Sequence, residues 1–466
     1  MNITFLIGNG FDINLGLRTR YIDFYRDYSS KNANDDTPAI KAFKSEITQY
    51  IKDDTHKDDK DIDWRDLEIA LGEWTNKLKE EEVEPFYLDL IDSLRNYLVG
   101  EFLYFDSEAV EAQKFISYLK NPIEGFFNRD ASIELKQYWN NFNGPDQVHI
   151  INFNYTPTIE RLVKFVREPL GMGVNYGGHA SYLYSIQHIH QTLDDEEILV
   201  GVNDITQLSN TDFHNNRHIC NLLVKPKTNA LLGMGTDRDC ENLIASTNLF
   251  VVYGTSAGIT DRKWWKSICN RIKVGGAKLL YFVYGQQGRH MRLRHDVMSE
   301  KAIKEFLESA GIKEDEATFA SIYSNSYVCF KSGMFALPAT YSFIPDTMTY
   351  KVGKIDVDIK VLDRSMRFLT LSVDAANEES GVSAIHQWIG EFFPKHTISM
   401  QDKQSYIEND VEILIDRIHI TSPDCVKDIY FEISSFYGKS NALTNRNSPE
   451  RRAILLVELV RQSYYD

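Results

Sequence analysis

The sequence has 466 residues, which is enough for two or three domains of roughly 150 residues each. Its 43% hydrophobic and 25% charged residues are ordinary for a folded protein, and its formal net charge of −16 argues against general attraction to nucleic acid or anionic membranes. No signal peptide is recognised before the first predicted strand, and no apolar run reaches the roughly 18 residues of a membrane span, so we expect a cytoplasmic protein without a membrane partner.

The chain opens with a strand, a glycine-rich turn and a helix. Residues 3–7 are mainly apolar, and a helical pattern runs from about residue 16 to residue 28. Glycines let a backbone approach a pyrophosphate closely, and free amides at a helix start favour its charge. The pattern predicts a dinucleotide-binding turn formed by Gly8, Asn9, Gly10, Phe11 and Asp12. Its spacing departs from Gly-x-Gly-x-x-Gly, so a tight turn in an unrelated α/β protein is the alternative, with Asp12 capping the turn.

Residues 30–147 have a helical texture and predict an insertion in the α/β domain. Helical periodicity is found at about 38–52, 64–80, 84–104, 108–120 and 131–141. Within the second helix, Leu67, Leu71 and Trp74 share an apolar face that is typical of a core. Glu68 lies on or beside that face, so a pocket-facing carboxylate is the alternative to a structural one.

A strand at 148–153 restores the α/β pattern and ends in Asn154, Tyr155 and Thr156. Thr156 and Pro157 predict the cap of a helix that runs to about residue 167. Because the carboxyl ends of parallel strands line the ligand crevice of such sheets, Asn154 is a candidate site residue. A glycine-rich loop is predicted over 171–178.

The next strand, at 184–189, leads to two histidines on one face, His188 and His190. His190 is nearer the strand end and is the preferred site residue. A core role for either histidine, and the choice between them, stay open. A further strand is expected at 198–202, and residues 205–236 read as a loop with helices.

A second strand–glycine–helix junction follows at 248–261. The strand at 248–253 precedes Gly254, Thr255 and Ser256, whose amides and hydroxyls suit a phosphate or ribose. Thr260 or Asp261 is expected to cap the next helix rather than bind a ligand.

Further strands at 279–284 and 327–330 complete a doubly wound, mostly parallel sheet. A basic helix over 288–311 carries Arg289, His290, Arg292, Arg294 and His295, and we interpret it as a solvated face. The cysteines are scattered without metal-ligand spacing, so we expect reduced thiols and no metal site.

Residues 340–466 have a different texture and predict a smaller α+β domain used for sensing or oligomerisation. Strict alternation at 354–360 is typical of a half-buried antiparallel strand, with partners at 368–373 and 429–433. Helices are expected at about 380–393 and 449–464. The α/β domain with its helical insertion would then span 1–335.

The ordered motifs of the first 335 residues resemble those of the AbiH family of bacterial phage abortive-infection proteins. They are residues 6–12, 64–68, 152–156, 188–190 and 254–261. This resemblance implies an antiviral defence effector with a phage-derived or host trigger.

The same motifs are remotely similar to those of sirtuin-like NAD-binding enzymes, which have a Rossmann-like fold. Sirtuins carry Gly-Ala-Gly-x-Ser, Thr-Gln-Asn-x-Asp, His-Gly and Gly-Thr-Ser in that order. Here the corresponding residues are Gly8–Asp12, Asn152–Thr156, His190–Gln191 and Gly254–Ser256. The chain lacks the four-cysteine zinc ribbon of sirtuin deacylases, and Gln191 and Thr156 replace the glycine and aspartate. These departures argue against protein deacylation and leave NAD cleavage open.

This likeness implies hydrolysis of NAD to nicotinamide and ADP-ribose without a metal. Asn154 would position a water or a ribose hydroxyl, and His190 would act as general base. The cofactor-binding residues would be Gly8, Asn9, Gly10, Phe11, Asp12, Tyr155, Thr156, Gly254, Thr255 and Ser256. The alternatives are a nucleotide-binding sensor whose partner is the toxin, or an RNA-targeting toxin. We expect NAD or a related nucleotide as ligand and a homo-oligomer as assembly.

Overall fold

The computed structural model describes most of the chain in two compact units. The first comprises residues 1–14, 18–101 and 112–336, and the second comprises 15–17, 102–111 and 337–466. From residue 392 onward only the backbone is described. Residues outside the description are 32–35, 53–65, 103–104, 106, 108–111, 126–128, 166–168, 176, 196, 234, 284–293, 314, 331–333, 336–344, 365–368, 376–377, 393–396, 409–410, 422–427, 439–452 and 463–466.

The first unit contains a seven-stranded sheet in the order β3-β4-β2-β1-β5-β6-β7. All neighbouring pairs are parallel except β3 and β4 at one edge. The fold is therefore α/β with a mostly parallel sheet, as predicted, and its strand order is compatible with a Rossmann-like fold. The strands are β1 (Asn2–Ile7), β2 (Asp146–Asn152), β3 (Leu170–Val174), β4 (Ala180–His188), β5 (Leu249–Tyr253), β6 (Lys278–Phe282) and β7 (Ser326–Cys329).

Strand β1 lies at the centre, between β2 and β5, and both of its faces are covered. Leu6 joins a core that includes Trp265 and Phe306, whereas Phe5 packs on the other face against Phe335 at a ring separation of 6.3 Å. Covering on both faces explains the mainly apolar composition of β1. The carboxyl ends of β1, β2, β4 and β5 consequently meet at one edge, where ligands bind in sheets of this type.

Helices of the first unit occupy the segments that their periodicity predicts, with several differences in bounds. Helix α3 confirms the prediction at 38–52. None of the described helices is long and apolar enough to cross a membrane. The helices are α1 (Gly10–Asn14), α2 (Tyr21–Ser30), α3 (Pro38–Lys52), α4 (Leu67–Trp74), α5 (Glu80–Phe102), α6 (Ala112–Lys120), α7 (Arg129–Trp139), α8 (Thr158–Val163), α9 (Arg217–Leu223), α10 (Lys225–Leu231), α11 (Thr236–Ser246), α12 (Arg262–Gly275), α13 (His295–Ser309) and α14 (Glu316–Tyr323).

Several predicted elements of this unit are wrong in kind or extent. The helix expected from residue 16 is replaced by α1 and α2, because Gly16 adopts a φ of +84° between them. The loop expected at 171–178 begins as edge strand β3, whose glycines hide the strand pattern. Residues 198–202 make only an isolated bridge from Val202 to Val224 in the part that is described. Helix α8 ends at Val163, after which Lys164 adopts a φ of +51°.

The second unit contains a seven-stranded antiparallel sheet and a helix. The helix expected at 449–464 is wrong: residues 453–462 form strand β14, which pairs with β10 and β13. A mostly apolar segment such as this one suits a central strand as well as a helix. The sheet order is β11-β12-β13-β14-β10-β9-β8. Its elements are β8 (Thr347–Val352), β9 (Ile355–Arg364), β10 (Leu369–Ala375), α15 (Glu378–Phe392), β11 (Thr397–Glu408), β12 (Val411–Thr421), β13 (Asp428–Gly438) and β14 (Ala453–Gln462).

Candidate functional site

The two glycine turns, after β1 and after β5, pack directly on each other. A Cβ on Gly10 would lie 2.7 Å from the Gly254 Cα, and a Cβ on Gly8 would lie 2.8 Å from the Gly254 carbonyl oxygen. The Gly10 amide donates to the Gly254 carbonyl at 2.6 Å, the Gly8 amide to Tyr253, and the Phe11 amide to Gly8. These three amides are therefore engaged within the chain. The glycines here allow two backbones to touch, and a pyrophosphate would need other donors.

The side chains around the turns have mixed environments. Asn9 is tethered to Thr19, Phe11 is fully buried against Phe115, and the Thr255 hydroxyl accepts from the Ala257 amide at 3.1 Å. Ser256 is exposed. Of the predicted phosphate-binding groups, the Ser256 hydroxyl is thus directly accessible to solvent.

Asp12 is buried beside the end of β2. Its Oδ2 accepts a hydrogen bond from the Thr156 hydroxyl, which in turn accepts from Thr158 at 2.8 Å. Burial raises the pKa of Asp12 to about 6, against the lowering effects of Thr156, Thr158, His188 and Asn154. The expected capping role of Thr156 is wrong, since Pro157 occupies the N-cap position and the Thr156 hydroxyl binds Asp12 instead. Asp12 therefore titrates close to neutral pH next to a strand end.

Asn154 follows β2 at the sheet edge and is 4% exposed. Its backbone amide donates to the Asn152 side chain at 3.0 Å, and its carbonyl contacts His188 Nδ1 at 2.9 Å. By strict hydrogen-bond geometry, neither its side-chain oxygen nor its side-chain nitrogen has a partner among the described residues, and the same holds for Asp12 Oδ1. The Asn154 amide is nonetheless close enough to Asp12 to lower the pKa of its carboxyl group. Such orphaned buried groups are rare and costly, because they have lost water without gaining a replacement.

The two histidines after β4 have different surroundings. His188 uses both ring nitrogens, with Nδ1 against the Asn154 carbonyl and Nε2 at 2.7 Å from Glu160. Burial lowers the pKa of His188, but the Glu160 bond and charge outweigh it and raise the pKa above its usual value. His188 thus connects the end of β4 to the segment that follows β2.

His190 lies beside two aromatic rings and next to Asp261. Its Nε2 is 3.4 Å from Asp261 Oδ1, whereas its Nδ1 has no partner in the described part of the chain. The Phe153 and Tyr155 rings lie 6.1 and 5.8 Å from the His190 ring. Burial and the charge of Lys225 lower the pKa of His190, so the imidazole is neutral at pH 7. We refer to Asp12 Oδ1, the Asn154 amide and His190 Nδ1 together as the polar set.

A buried lysine, which the sequence did not single out, lies between two carboxylates next to His190. Lys225, 4% exposed at the start of α10, lies 2.8 Å from Glu68 Oε2 and 3.5 Å from Asp261 Oδ1. Burial lowers the pKa of Lys225, but Glu68 and Asp261 outweigh it, so the ammonium stays charged. Burial and Glu68 raise the pKa of Asp66 to about 6. A lysine before a proline, in a segment without clear periodicity, gives no sequence sign of burial.

The position of Lys225 bears on two expectations from the sequence. Glu68 is buried and its carboxylate contacts Lys225, so the contacts described for it are those of a buried ion pair. Asp261 occupies the expected N-cap position of α12, but its side chain makes no capping hydrogen bond to the described backbone there. Its carboxylate points instead to His190 and Lys225.

Two cavities differ in their relation to these residues. One of about 10 Å³, room for roughly one water, is lined by His190, Lys225, Asn203, Asn229 and Trp264, among others. The other, of about 380 Å³, is lined by Asn121, Lys136, Trp139 and their neighbours and includes no residue of the polar set. Neither of these two cavities, both formed by described residues, combines contact with the polar set and room for a nucleotide.

The remaining candidate residues fall partly outside the description. Residues 64 and 65 and most of the basic cluster at 289–295 belong to the segments that are not described. His295, at the start of α13, contacts the Val328 carbonyl at 3.2 Å. In the described residues, no three His, Cys, Asp or Glu side chains are grouped as a metal ion requires.

Comparison with known proteins assigns the family. A comparison with curated proteins gave no match. The family model described as "Bacteriophage abortive infection AbiH" matches residues 4–283, more than half of the chain. That range includes the glycine turns, the polar set, Lys225 and Asp261. The resemblance inferred from the motifs is confirmed: the chain belongs to the AbiH family of bacteriophage abortive-infection proteins.

Proposed function

We propose that this chain, whose family acts in bacteriophage abortive infection, does so by hydrolysing NAD to nicotinamide and ADP-ribose. The observation that carries the proposal is the polar set. Four side-chain atoms from three residues are buried without partners among the described residues, at the edge where β1, β2 and β4 end. Each such atom costs about 1–3 kcal/mol if nothing binds it, so a polar ligand at this edge would recover that free energy.

The reaction needs few groups from the protein. The bond between the nicotinamide nitrogen and the ribose carbon breaks, nicotinamide leaves with the bonding electrons, and the ribose acquires oxocarbenium character. One water then adds to that carbon and loses a proton. Asn154 offers an amide donor and acceptor for the water or a ribose hydroxyl, and neutral His190 offers a lone pair for the proton.

Asp12 complements this chemistry through its charge. With a pKa of about 6, its carboxylate is mostly ionised at pH 7.5, when it would stabilise a cationic ribose or accept from a ribose hydroxyl. The Gly8, Gly10 and Phe11 amides are engaged within the chain, so we assign pyrophosphate contacts to Ser256 and to Thr255. Because the polar set is buried, NAD binding requires displacement of the residues that cover it.

The test is incubation of the purified full-length protein with NAD, followed by chromatography for nicotinamide and ADP-ribose. Both products should appear in equal amounts with the wild type and be lost in Asn154→Ala and His190→Ala. His149→Ala is the matched control, because His149 lies within β2, contacts Ser185 at 2.8 Å and is remote from the strand end. It should keep wild-type activity.

Phage infection provides the second arm of the test. Cells carrying the wild type should lose NAD during infection, whereas cells carrying Asn154→Ala should not. Bound but intact NAD in both settings would contradict hydrolysis and favour a nucleotide sensor. Loss of RNA without loss of NAD would contradict it in favour of a nuclease.

A further inference from the structure

We propose that Asp261 is a positioning residue for His190: it holds the Nε2 proton, so that the Nδ1 lone pair is presented to the reacting water. This inference rests on the hydrolysis proposed above. It assigns a role to a residue that the sequence pattern places at a helix start, and it explains why a buried lysine lies behind the histidine.

The geometry gives the two ring nitrogens different partners. Nε2 lies 3.4 Å from Asp261 Oδ1, and no described group binds Nδ1. A neutral imidazole carries its proton on the nitrogen that faces an acceptor, and the other nitrogen then bears the lone pair. A base is oriented in this way whenever a carboxylate holds its distal nitrogen. The Phe153 and Tyr155 rings pack against the imidazole and restrict its rotation.

Asp261 is in turn held in place from two directions. Its Oδ1 lies 3.5 Å from Lys225 Nζ, and Lys225 is anchored by both oxygens of Glu68, at 3.0 and 2.8 Å. The turn that carries Asp261 is fixed by the Trp265 indole, which donates to the Gly258 carbonyl at 2.9 Å. Because these anchors come from separate segments, a shift of Asp261 would have to break several contacts together.

The charges around His190 act in opposite directions on its proton. Asp261, on the turn before α12, and Asp66, just before α4, favour the imidazolium, whereas Lys225 on α10 opposes it. Burial, to which the Phe153 and Tyr155 rings contribute, also opposes it, and Glu68 is engaged with Lys225. Burial raises the pKa of Asp261, but Lys225 and His190 outweigh it and lower the pKa to about 2, so the carboxylate remains charged. Removing Asp261 should therefore lower the pKa of His190 further, and removing Lys225 should raise it.

The first test uses the wild type alone. In the full-length protein labelled with ¹⁵N-histidine, and with the His190 signal identified by its loss in His190→Gln, the nitrogen shifts report the tautomer. We expect a protonated Nε2 and an unprotonated Nδ1 at pH 7.5. The opposite tautomer would overturn the proposal, and this readout depends neither on NAD cleavage nor on the folding of an Asp261 variant.

The second test uses Asp261→Asn, which keeps the shape and removes the charge. We expect kcat for NAD hydrolysis to fall about 10²-fold, the low end for loss of general-base assistance, with KM little changed and the pKa of His190 lowered. Lys225→Met should shift that pKa upward. Asp315→Asn is the matched control, because Asp315 caps α14 through the Thr318 amide at 2.8 Å and should leave kcat and the His190 titration unchanged.

The outcomes separate this inference from the proposed function. An unchanged His190 titration in Asp261→Asn, with kcat also unchanged, would overturn the positioning role even if NAD is cleaved. Absence of NAD cleavage by the wild type would instead refute the proposed function and with it the role in catalysis, whereas the tautomer and titration would still decide whether Asp261 orients His190.

Discussion

Thr156 donates a hydrogen bond to Asp12, a residue 144 positions earlier in the chain. Asp12 lies in α1, directly after the glycine turn of β1, and Thr156 follows β2, so the contact joins the segments that follow two adjacent parallel strands. Both side chains are almost completely buried, at 1% exposure each. The folded protein therefore keeps a carboxyl group out of water, and ionisation of that group opposes folding.

Replacing Asp12 with Asn should stabilise the protein at neutral pH. The pKa of Asp12 is about 6 in the folded state against 3.8 for an ordinary aspartate. Because the folded state holds the Asp12 proton more tightly than the unfolded state, protonated Asp12 stabilises the folded protein. This contribution is fully present below pH 3.8 and is lost as the pH rises through 6. Above pH 7 the cost reaches about 3 kcal/mol, at about 1.36 kcal/mol for each pKa unit, and Asp12→Asn removes it.

Urea unfolding of both proteins at pH 4.5, 6 and 8 measures this effect. The free energy of unfolding of Asp12→Asn minus that of the wild type should increase as the pH rises and become constant above pH 7. Other buried carboxyl groups titrate in both proteins and cancel in the comparison. A difference that is independent of pH would show that Asp12 ionises normally in the folded state.

Truncating Asn154 should cost little stability, because by strict geometry its side-chain amide makes no hydrogen bond to the described protein. We expect Asn154→Ala to lower the free energy of unfolding by less than about 1 kcal/mol while abolishing NAD hydrolysis. Millimolar NAD should raise the melting temperature of the wild type but not that of Asn154→Ala, since ligand binding stabilises only a protein that binds it.

Asn175→Ala is the matched control for this prediction. Asn175 is similarly buried, at 7% exposure, but its amide donates to Asp146 and accepts from the Gly177 and His179 amides at 2.9 and 3.0 Å. Its truncation should cost about 2–3 kcal/mol, since three partners are lost. Equal costs for the two variants would mean that Asn154 already has partners, such as ordered waters, in the free protein.

Lys225→Met should be one of the most destabilising single substitutions in the first unit. It leaves the Asp261 carboxylate buried without its cation, and it leaves Glu68, whose pKa burial already raises to about 7, without its ion-pair partner, which together cost about 3–5 kcal/mol. Lys263→Met is the control: Lys263 also bridges two carboxylates, Asp237 and Glu241, but its side chain is 33% exposed. Exposed pairs contribute about 0–1 kcal/mol. Chemical denaturation compares the two, and similar losses would show that water reaches Lys225.

The fold could be predicted from sequence wherever burial imposed a regular pattern. Strands β1, β5 and β6 are mostly apolar because both faces of the sheet are covered, and α3 shows a single apolar stripe. Strand β3 was missed because its glycines carry no side-chain alternation. Residues 453–462 fit a helix as well as a strand, because seven of these ten residues are apolar without strict alternation, and only pairing with β10 and β13 decides between the two.

The candidate site was predictable only in part, for a similar reason. Asn154 and His190 could be singled out because each follows a buried strand, and position relative to a strand is visible in sequence. The partners of His190 could not be found in this way. Lys225 and Glu68 are 157 positions apart, and no feature of the local sequence distinguishes a lysine with a buried side chain from one with a solvent-exposed side chain.

The contact between the glycine turns gives a last prediction. Gly10→Ala should destabilise the protein by several kcal/mol, on the order of the larger effects of overpacking, because the added Cβ would lie 2.7 Å from the Gly254 Cα and 2.9 Å from its carbonyl oxygen. Both are backbone atoms, so no flexible side chain can move away. Gly100→Ala, at a helical position where an added Cβ meets no described atom within 4 Å, should instead stabilise by about 0.5–1 kcal/mol. Thermal unfolding of both variants decides the matter: if Gly10→Ala unfolds at the wild-type temperature, the two turns do not touch in solution.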